Sequence, residues 1–385
     1  MKTSSRFSSM PHSGIRDMFN RASVMKNVLN LGVGEPDFST PEAIVDAAID
    51  ALKDGQTKYT PNAGIMPLRR AIAEKLEGEN GLRDAAAENI VVTTGACEAI
   101  TLALFALSDP GDEILIQDPC WPNYMGQIRM GGAVPVPVPT WEKDRFHLLP
   151  DSIEPLISSK TKGILLNSPS NPTGSVLSEN ELLSISEIVK KHSLFVISDE
   201  PYEKLIYDGK EHVSIGSLPD MADHTVTINS FSKSYAMTGW RVGYIHAPRE
   251  VAAAMAKMQE NFSSCVNSAA QYGAIEAISG PQDATVRMRE SYMARRKLVV
   301  DGLNEIPGIE CLSPEGAFYA FPRISSFGLS SKEFALRLLS EKAVVVVPGD
   351  AFGSCGEGFI RISFASSKEV LLEALDRLKQ FTSVL

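Results

Sequence analysis

The chain has 385 residues, 44% of them hydrophobic, and a net charge of -10 from 37 basic and 47 acidic side chains. That length allows two or three domains with a sizeable core, and the acidic balance argues against nucleic acid or an anionic membrane surface as the main partner. Five scattered cysteines without a CxxC pair indicate neither a disulfide framework nor a zinc site, so no metal is expected and a reducing cytoplasm is the expected compartment.

The chain starts MKTSSRFSSMPHSGIR, with Lys2, Arg6 and several serines ahead of Asp17. This faintly resembles an organellar transit segment, but no apolar stretch follows it. No run approaches the ~20 apolar residues of a membrane span. Residues 1–36 have little sheet character and read as an arm packed on a smaller domain or on a neighbouring subunit. From there the pattern is alternation. Apolar, β-rich runs recur at 90–94, 113–117, 133–138, 162–167, 194–199, 225–229 and 242–246. Helical patterns lie between several of them, including SENELLSISEIVKKH, where Ser178 and Glu181 form a capping box. Strands separated by helices predict an α/β fold with a mostly parallel sheet covered on both faces. After Gly280 and Pro281 the texture changes to a long helical pattern over 283–304 and a mixed α/β tail. The predicted division is therefore a large domain over 37–282 and a small C-terminal domain over 283–385.

In open parallel sheets ligands lie beyond the carboxyl ends of the strands, and the distinctive residues of this chain fall there. The run at 90–94 leads into Gly95, Ala96 and Cys97 and then a helix. That is an anion site built from backbone amides and the helix dipole, or an ordinary strand-to-helix turn. The run at 162–167 ends in SPSNPTG, where Asn167 and Asn171 would hold the turn or serve a ligand. Asp199 ends the next run. A carboxylate there is a helix cap, or it meets a cationic partner that offsets its burial. The last apolar run opens into SFSKSYAMTGWRVGY, in which Lys233 sits among serines with Arg241 eight residues on. A buried lysine loses basicity and becomes a nucleophilic amine, while Ser230 and Arg241 offer a hydroxyl and a fork of donors for a phosphate monoester. An amine beside a phosphate cradle points to pyridoxal 5'-phosphate (PLP); a surface lysine in a serine-rich turn is the plain alternative. GVGEPD, near Gly34, lacks the third glycine of a dinucleotide fingerprint.

SNPTG, ISDEPY, SFSKSYAMTGWRVGY and FIRISFA, in this order and at these separations, resemble the class I/II aminotransferases of the fold type I PLP enzymes. The resemblance runs from LGVGEPDF to the C-terminal arginine motif. SGIR, KYTPNAG, TTGA and GAFYAFP are most similar to the branch of aromatic, aspartate and N-acetyl-diaminopimelate aminotransferases. It implies a seven-stranded, mostly parallel sheet between helices with a smaller α/β domain. Lys233 would then carry PLP as a Schiff base and shuttle the proton. Asp199 would keep the pyridine nitrogen protonated, and Tyr202 and Asn171 would bond the ring oxygen. Trp121 of DPCWPNY would stack on the ring. Ser230, Arg241 and the amides of Ala96 and Cys97 would cradle the phosphate, helped by Tyr59 of KYTPNAG from the neighbouring subunit of a homodimer with shared active sites. Arg361 would clamp the substrate α-carboxylate with Gly34 and Asn171, and Ile15 would wall the side-chain pocket.

The implied reaction moves the amino group of an L-amino acid, aromatic or large neutral and secondarily aspartate, to a 2-oxo acid such as 2-oxoglutarate. Some aspartate-using members have a lysine where this chain has Cys97, which weakens the aspartate reading; Arg16 and Arg129 are other cations for a distal carboxylate. A same-fold enzyme of other chemistry, such as a cysteine-S-conjugate β-lyase, keeps every residue named above. A non-enzymatic PLP-binding regulator ranks last, because the chain has no spare ~60 residues for a DNA-binding domain.

Overall fold

The computed structural model describes residues 14–83 and 85–385, apart from the side chain of Ile15. The serine-rich start of the chain lies outside the described residues. The strands are β1 Leu29–Asn30, β2 Ile90–Thr93, β3 Glu113–Asp118, β4 Val134–Pro139, β5 Thr161–Asn167, β6 Phe195–Asp199, β7 Thr225–Ser230, β8 Gly243–His246, β9 Tyr319–Ala320, β10 Val344–Val345, β11 Val347–Pro348 and β12 Ile360–Ser363.

Each of the seven β-rich runs forms one strand of a single sheet ordered β2-β8-β7-β6-β5-β3-β4. Neighbours from β4 across to β7 pair parallel, whereas β8 runs antiparallel to both β2 and β7. The reversal has a local cause. Between β7 and β8 the chain spends its residues on the short helix Phe231–Ser234 and a tight turn at Thr238–Trp240, so no crossover helix carries it back to the far end of the sheet. β4, with prolines at 135, 137 and 139, forms one edge, the place where missing N–H donors cost least.

The strands bury both faces by simple alternation. Ile114, Ile116 and Leu165 join one hydrophobic cluster with helix Ala96–Leu107, while Leu115, Ile164 and Leu166 join another with helix Glu179–His192. Burial of each such side chain contributes about 1.5–3 kcal/mol, which is why the runs read as nearly continuous apolar stretches. The capping box of the second helix is present: Ser178 Oγ accepts from the Glu181 amide and the Glu181 carboxylate accepts from the Ser178 amide at 2.7 Å.

The C-terminal part is built on the helix Asp283–Asn304 and a three-stranded antiparallel sheet ordered β11-β12-β9. The N-terminal segment joins it directly. β1 pairs parallel with β10, and Met18, Ala22 and Leu31 share a cluster with Tyr292, Phe318, Leu338 and Phe364. Among the described residues no helix is long and apolar enough to cross a membrane.

Candidate active site

Five strands of the large sheet end on one cavity of about 310 Å³, and each end delivers a side chain or amide to it. β2 is followed by Gly95 at φ 78° and then by the helix that starts at Ala96. β3 leads to Trp121, β5 ends at Asn167 with Asn171 beyond it, β6 ends at Asp199 and β7 at Ser230, with Lys233 three residues on. The C-terminal sheet adds Tyr319 from β9 and Arg361 from β12, and the N-terminal segment adds Gly34 and Glu35.

Asp199 is 3% exposed. Its Oδ2 accepts a hydrogen bond from the Tyr124 hydroxyl at 2.5 Å, and its buried Oδ1 has no partner among the described residues. Burial pushes the carboxyl up to about 7, against the opposing hydrogen bond from Tyr124. A half-satisfied buried carboxylate is costly, and a protonated ring nitrogen at Oδ1 would supply both the missing donor and the countercharge. The residues present therefore fit PLP.

Lys233 is half-buried, donates to the Gly34 carbonyl and lies 5.9 Å from the Tyr202 ring and 5.7 Å from the Phe318 ring. Burial first, and the Arg361 charge second, pull its ammonium down to about 8. That is the direction a nucleophilic amine requires.

Around Arg241 the cavity wall is closely packed against backbone and glycine. Arg241 donates to the carbonyls of Thr238 at 3.0 Å and Thr94 at 3.4 Å. A Cβ on Gly95 would stand 2.6 Å from the Arg241 guanidinium, and one on Gly243 would stand 2.9 Å from the Ala96 amide nitrogen, so a side chain at either position would disturb the loop. Ser230 Oγ accepts from the Ser232 amide at 3.1 Å and thereby caps the helix that carries Lys233.

Arg361 is 1% exposed, and among the described residues its guanidinium bonds only neutral oxygens, Asn171 Oδ1 at 2.8 Å and the Gly32 carbonyl at 2.7 Å. It stacks over Tyr319 and Phe352, 4.3 and 4.9 Å from the ring centroids, and its Nε has no partner among the described residues. A buried cation with neutral partners recruits an anion of matching fork geometry, such as a carboxylate.

The cavity thus gathers Gly34, Ala96, Cys97, Trp121, Asn171, Asp199, Tyr202, Ser230, Lys233, Arg241 and Arg361 from the sequence reading. Two candidates stand apart. Tyr59 is 91% exposed and does not line the cavity of its own chain. Ile15 falls in the helix Gly14–Ala22, and its side chain is outside the described residues. The two asparagines divide the roles left open at 167–171: Asn167 bonds the Asp199 carbonyl and the Asn171 amide, both at 2.9 Å, and so holds the turn, which leaves the Asn171 side chain to Arg361.

Sequence reasoning missed Tyr124, Tyr319, Ser232, Thr238 and Glu35 as cavity residues. Tyr124 and Tyr319 lie inside DPCWPNY and GAFYAFP, so the motifs flagged the segments. What the motifs did not carry was the contact: Tyr124 meets Asp199 across 75 residues of chain, and the Tyr319 hydroxyl bonds that of Tyr202 at 2.9 Å across 117.

The family model for aminotransferase class I and II matches residues 26–378. The aspartate aminotransferase of Pyrococcus abyssi is 44% identical over 382 residues, covering 99% of this chain and 98% of that protein. Aromatic-amino-acid aminotransferase 2 of Thermococcus litoralis is 42% identical over 382 residues, with 99% and 98% covered. Among solved structures, the aromatic aminotransferase from Pyrococcus horikoshii superposes with a TM-score of 0.91 at 43% identity, over 95% of this chain and 99% of that one. With these matches spanning nearly its whole length, the chain belongs to the class I and II aminotransferases, the PLP-dependent enzymes its strand-end residues led one to expect.

Proposed function

We propose that this aminotransferase takes its amino group from an aromatic or other large neutral L-amino acid and passes it to a 2-oxo acid such as 2-oxoglutarate. The observation that carries the reading is the set of cations around the cavity: Lys233, Arg241 and Arg361 are the only ones among its described lining residues. Each already has a task. Lys233 is the amine for the cofactor, Arg241 the phosphate ligand and Arg361 the clamp for the α-carboxylate, which leaves no lining cation for a second, distal carboxylate; 2-oxoglutarate, itself a dicarboxylate, then enters as acceptor through a water-bridged distal site or an arginine that moves in from outside the lining. The Glu35 carboxylate, which accepts from Thr238 Oγ at 3.3 Å, lines the same cavity and disfavours an acidic side chain. Cys97, which stands where some relatives carry a lysine, has its thiol pushed up by burial and stays neutral.

PLP supplies the carbonyl that captures the amine and the electron sink that stabilises the carbanion. The chain supplies the rest. Lys233 would bind the cofactor and then move the proton, with Asp199 serving the ring nitrogen. Tyr202 and Asn171 would bond the ring oxygen, and Trp121 would cover the ring. Ser230, Arg241 and the amides of Ala96 and Cys97 would hold the phosphate. Arg361 holds the α-carboxylate with Asn171 and the close-set backbone at Gly34, where a Cβ would overlap the Tyr319 hydroxyl. A C2 homodimer completes the proposal: the high exposure of Tyr59, away from its own cavity, supports the partner subunit's Tyr59 as the last phosphate ligand.

The test compares phenylalanine, tyrosine, aspartate, alanine and N-acetyl-diaminopimelate by kcat/KM in the first half-reaction. Phenylalanine or tyrosine should react at least as efficiently as aspartate. A preference for aspartate above about tenfold, ~1.4 kcal/mol of transition-state binding, would overturn the donor class.

A further inference from the structure

Directly behind Asp199, outside the cavity, lies a buried group of four charged side chains for which the reaction as described has no use. Lys75 and Glu203 form an ion pair with side chains 4% and 8% exposed, and Glu200 and His212 form another, with side chains 1% and 10% exposed. Neutral groups tie the two pairs together. Asn80 accepts from Lys75 at 2.8 Å and donates to Glu203 at 2.8 Å and to Ser214 at 3.0 Å. Glu200 accepts from Ser198 at 2.7 Å and Ser214 at 2.6 Å, and its Oε2 faces His212 Nε2 at 2.8 Å.

The ligand atoms of Glu200, Glu203 and His212 all lie within 4.8 Å of one another, which by itself resembles a metal site. The Lys75 ammonium already provides the cation there, in contact with Glu203. The charges then sum to zero with His212 protonated and to minus one with it neutral.

That sum matters because Glu200 follows Asp199 in sequence, and its charge disfavours the Asp199 carboxylate. The groups acting on Asp199 from its surroundings are the Tyr124 hydroxyl, Glu200 and Lys233, with Cys97 and Tyr202 farther out. The quartet itself is faced by Tyr235 and Tyr244, whose phenols burial keeps neutral. Outside it lies the Lys204–Glu79 pair. Among these, His212 is the cation in contact with Glu200.

We propose that His212 is a positioning residue for the reaction: its imidazolium, paired with Glu200, cancels the charge that Glu200 would otherwise set beside Asp199, and so keeps Asp199 ionised against the ring nitrogen of PLP. The inference rests on the assignment of Asp199 to that nitrogen. Burial opposes the imidazolium, while the charge and hydrogen bond of Glu200, and then Glu203, favour it, with a net upward shift. His212 Nδ1 has no partner among the described residues, so the pairing through Nε2 is what holds the ring.

The experiment uses PLP-loaded full-length protein and reads the pH midpoint of the bound cofactor's visible absorbance, a readout independent of turnover. In H212Q the uncompensated Glu200 charge should hold the cofactor's proton to higher pH, moving the midpoint up by ~0.5 unit or more. The double variant E200Q/H212Q removes both charges and should return the midpoint to within ~0.2 unit of the parent, a rescue that lost packing alone would not produce. An unchanged midpoint in H212Q, or an equal displacement in the double variant, would overturn the proposal. Should H212Q fail to fold, H212K keeps a cation against Glu200 and is expected to titrate like the parent; an upward displacement of ~0.5 unit or more there would overturn it equally. D199N separates the two readings. It should displace the midpoint regardless of His212, and a D199N protein that titrates like the parent would mean that Asp199 itself was misassigned.

Discussion

The two halves of the active site are made in different ways. On one side, five strands of the seven-stranded sheet each stop at the cavity, and the residues proposed to serve the cofactor lie at the ends of those strands or in the segments that follow them, Lys233 in the helix after β7 and Arg241 just ahead of β8. On the other side, Arg361 and Tyr319 come from strands of four and two residues, held in place by the cluster that contains Phe318, Ile362 and Phe364. The cofactor side owes its geometry to long backbone ladders. The substrate side owes it to side-chain packing, the kind of support that admits variation in the side chains it presents.

Mutations at the two sides should differ accordingly, with the cofactor side giving the larger losses. Lys233→Ala removes the amine and the proton shuttle together, so turnover should fall by ~10⁴-fold or more, with the circular dichroism spectrum and melting temperature nearly unchanged. Substantial multiple-turnover activity would show that another amine does the chemistry. Asp199→Asn keeps the shape and the Tyr124 contact but loses the charge, and should cost several kcal/mol, a ~10³-fold drop in kcat. Rates within about threefold of the parent would mean that the carboxylate facing the ring nitrogen is a different one.

On the substrate side, Arg361→Lys keeps a positive charge and loses the planar fork between Asn171 and the Gly32 carbonyl. Charged hydrogen bonds of this kind are worth ~1.5–3 kcal/mol, so kcat/KM should fall by ~10- to 150-fold while PLP affinity stays near the parent value. Loss of PLP binding in this variant would erase the distinction between the two sides.

The same contrast explains what the sequence disclosed. The seven β-rich runs of the sheet were visible because a strand buried on both faces, as β2, β7 and β8 are at every position, lacks the charged residues and the polar alternation of a half-exposed strand, and the residues that follow such runs could be assigned to one end of the sheet. The antiparallel direction of β8 was not visible, since an apolar run carries no sign of its direction. Strands β1, β9, β10 and β11 have two residues each, too few for any periodicity. Arg361 and Tyr319 were thus reachable only through the FIRISFA and GAFYAFP motifs. Tyr124 and the quartet around His212 were missed because contacts across 75 or 128 residues of chain leave no local pattern.

The smallest expected effect concerns a link between the sheet and the C-terminal part. His147 Nδ1 faces Glu181 Oε1 at 2.6 Å and Nε2 faces Glu315 Oε2 at 2.9 Å. With a carboxylate at each nitrogen, both must carry a proton. Burial works against the charge, but the two hydrogen bonds and the two carboxylates outweigh it and hold His147 at about 9, and Glu181 is drawn down to about 2. Because the folded-state value of the imidazole lies above its ordinary 6.5, its stabilisation is complete below pH ~6.5 and disappears as the pH rises through about 9. The carboxylate is the reverse case: its contribution is present above pH ~4.5 and is lost as the pH falls toward 2. Both contribute fully only between about pH 4.5 and 6.5. His147→Gln leaves Arg145 and Lys210 on Glu315, and solvent reaches the site, so the loss should be on the order of 1 kcal/mol, or about 2 °C in Tm, at pH 6. Melting curves of the parent and the variant should converge as the pH is raised to 10. A difference that stays constant from pH 6 to 10 would show that His147 acts through packing, and that the two sides of the site are not joined by its charge.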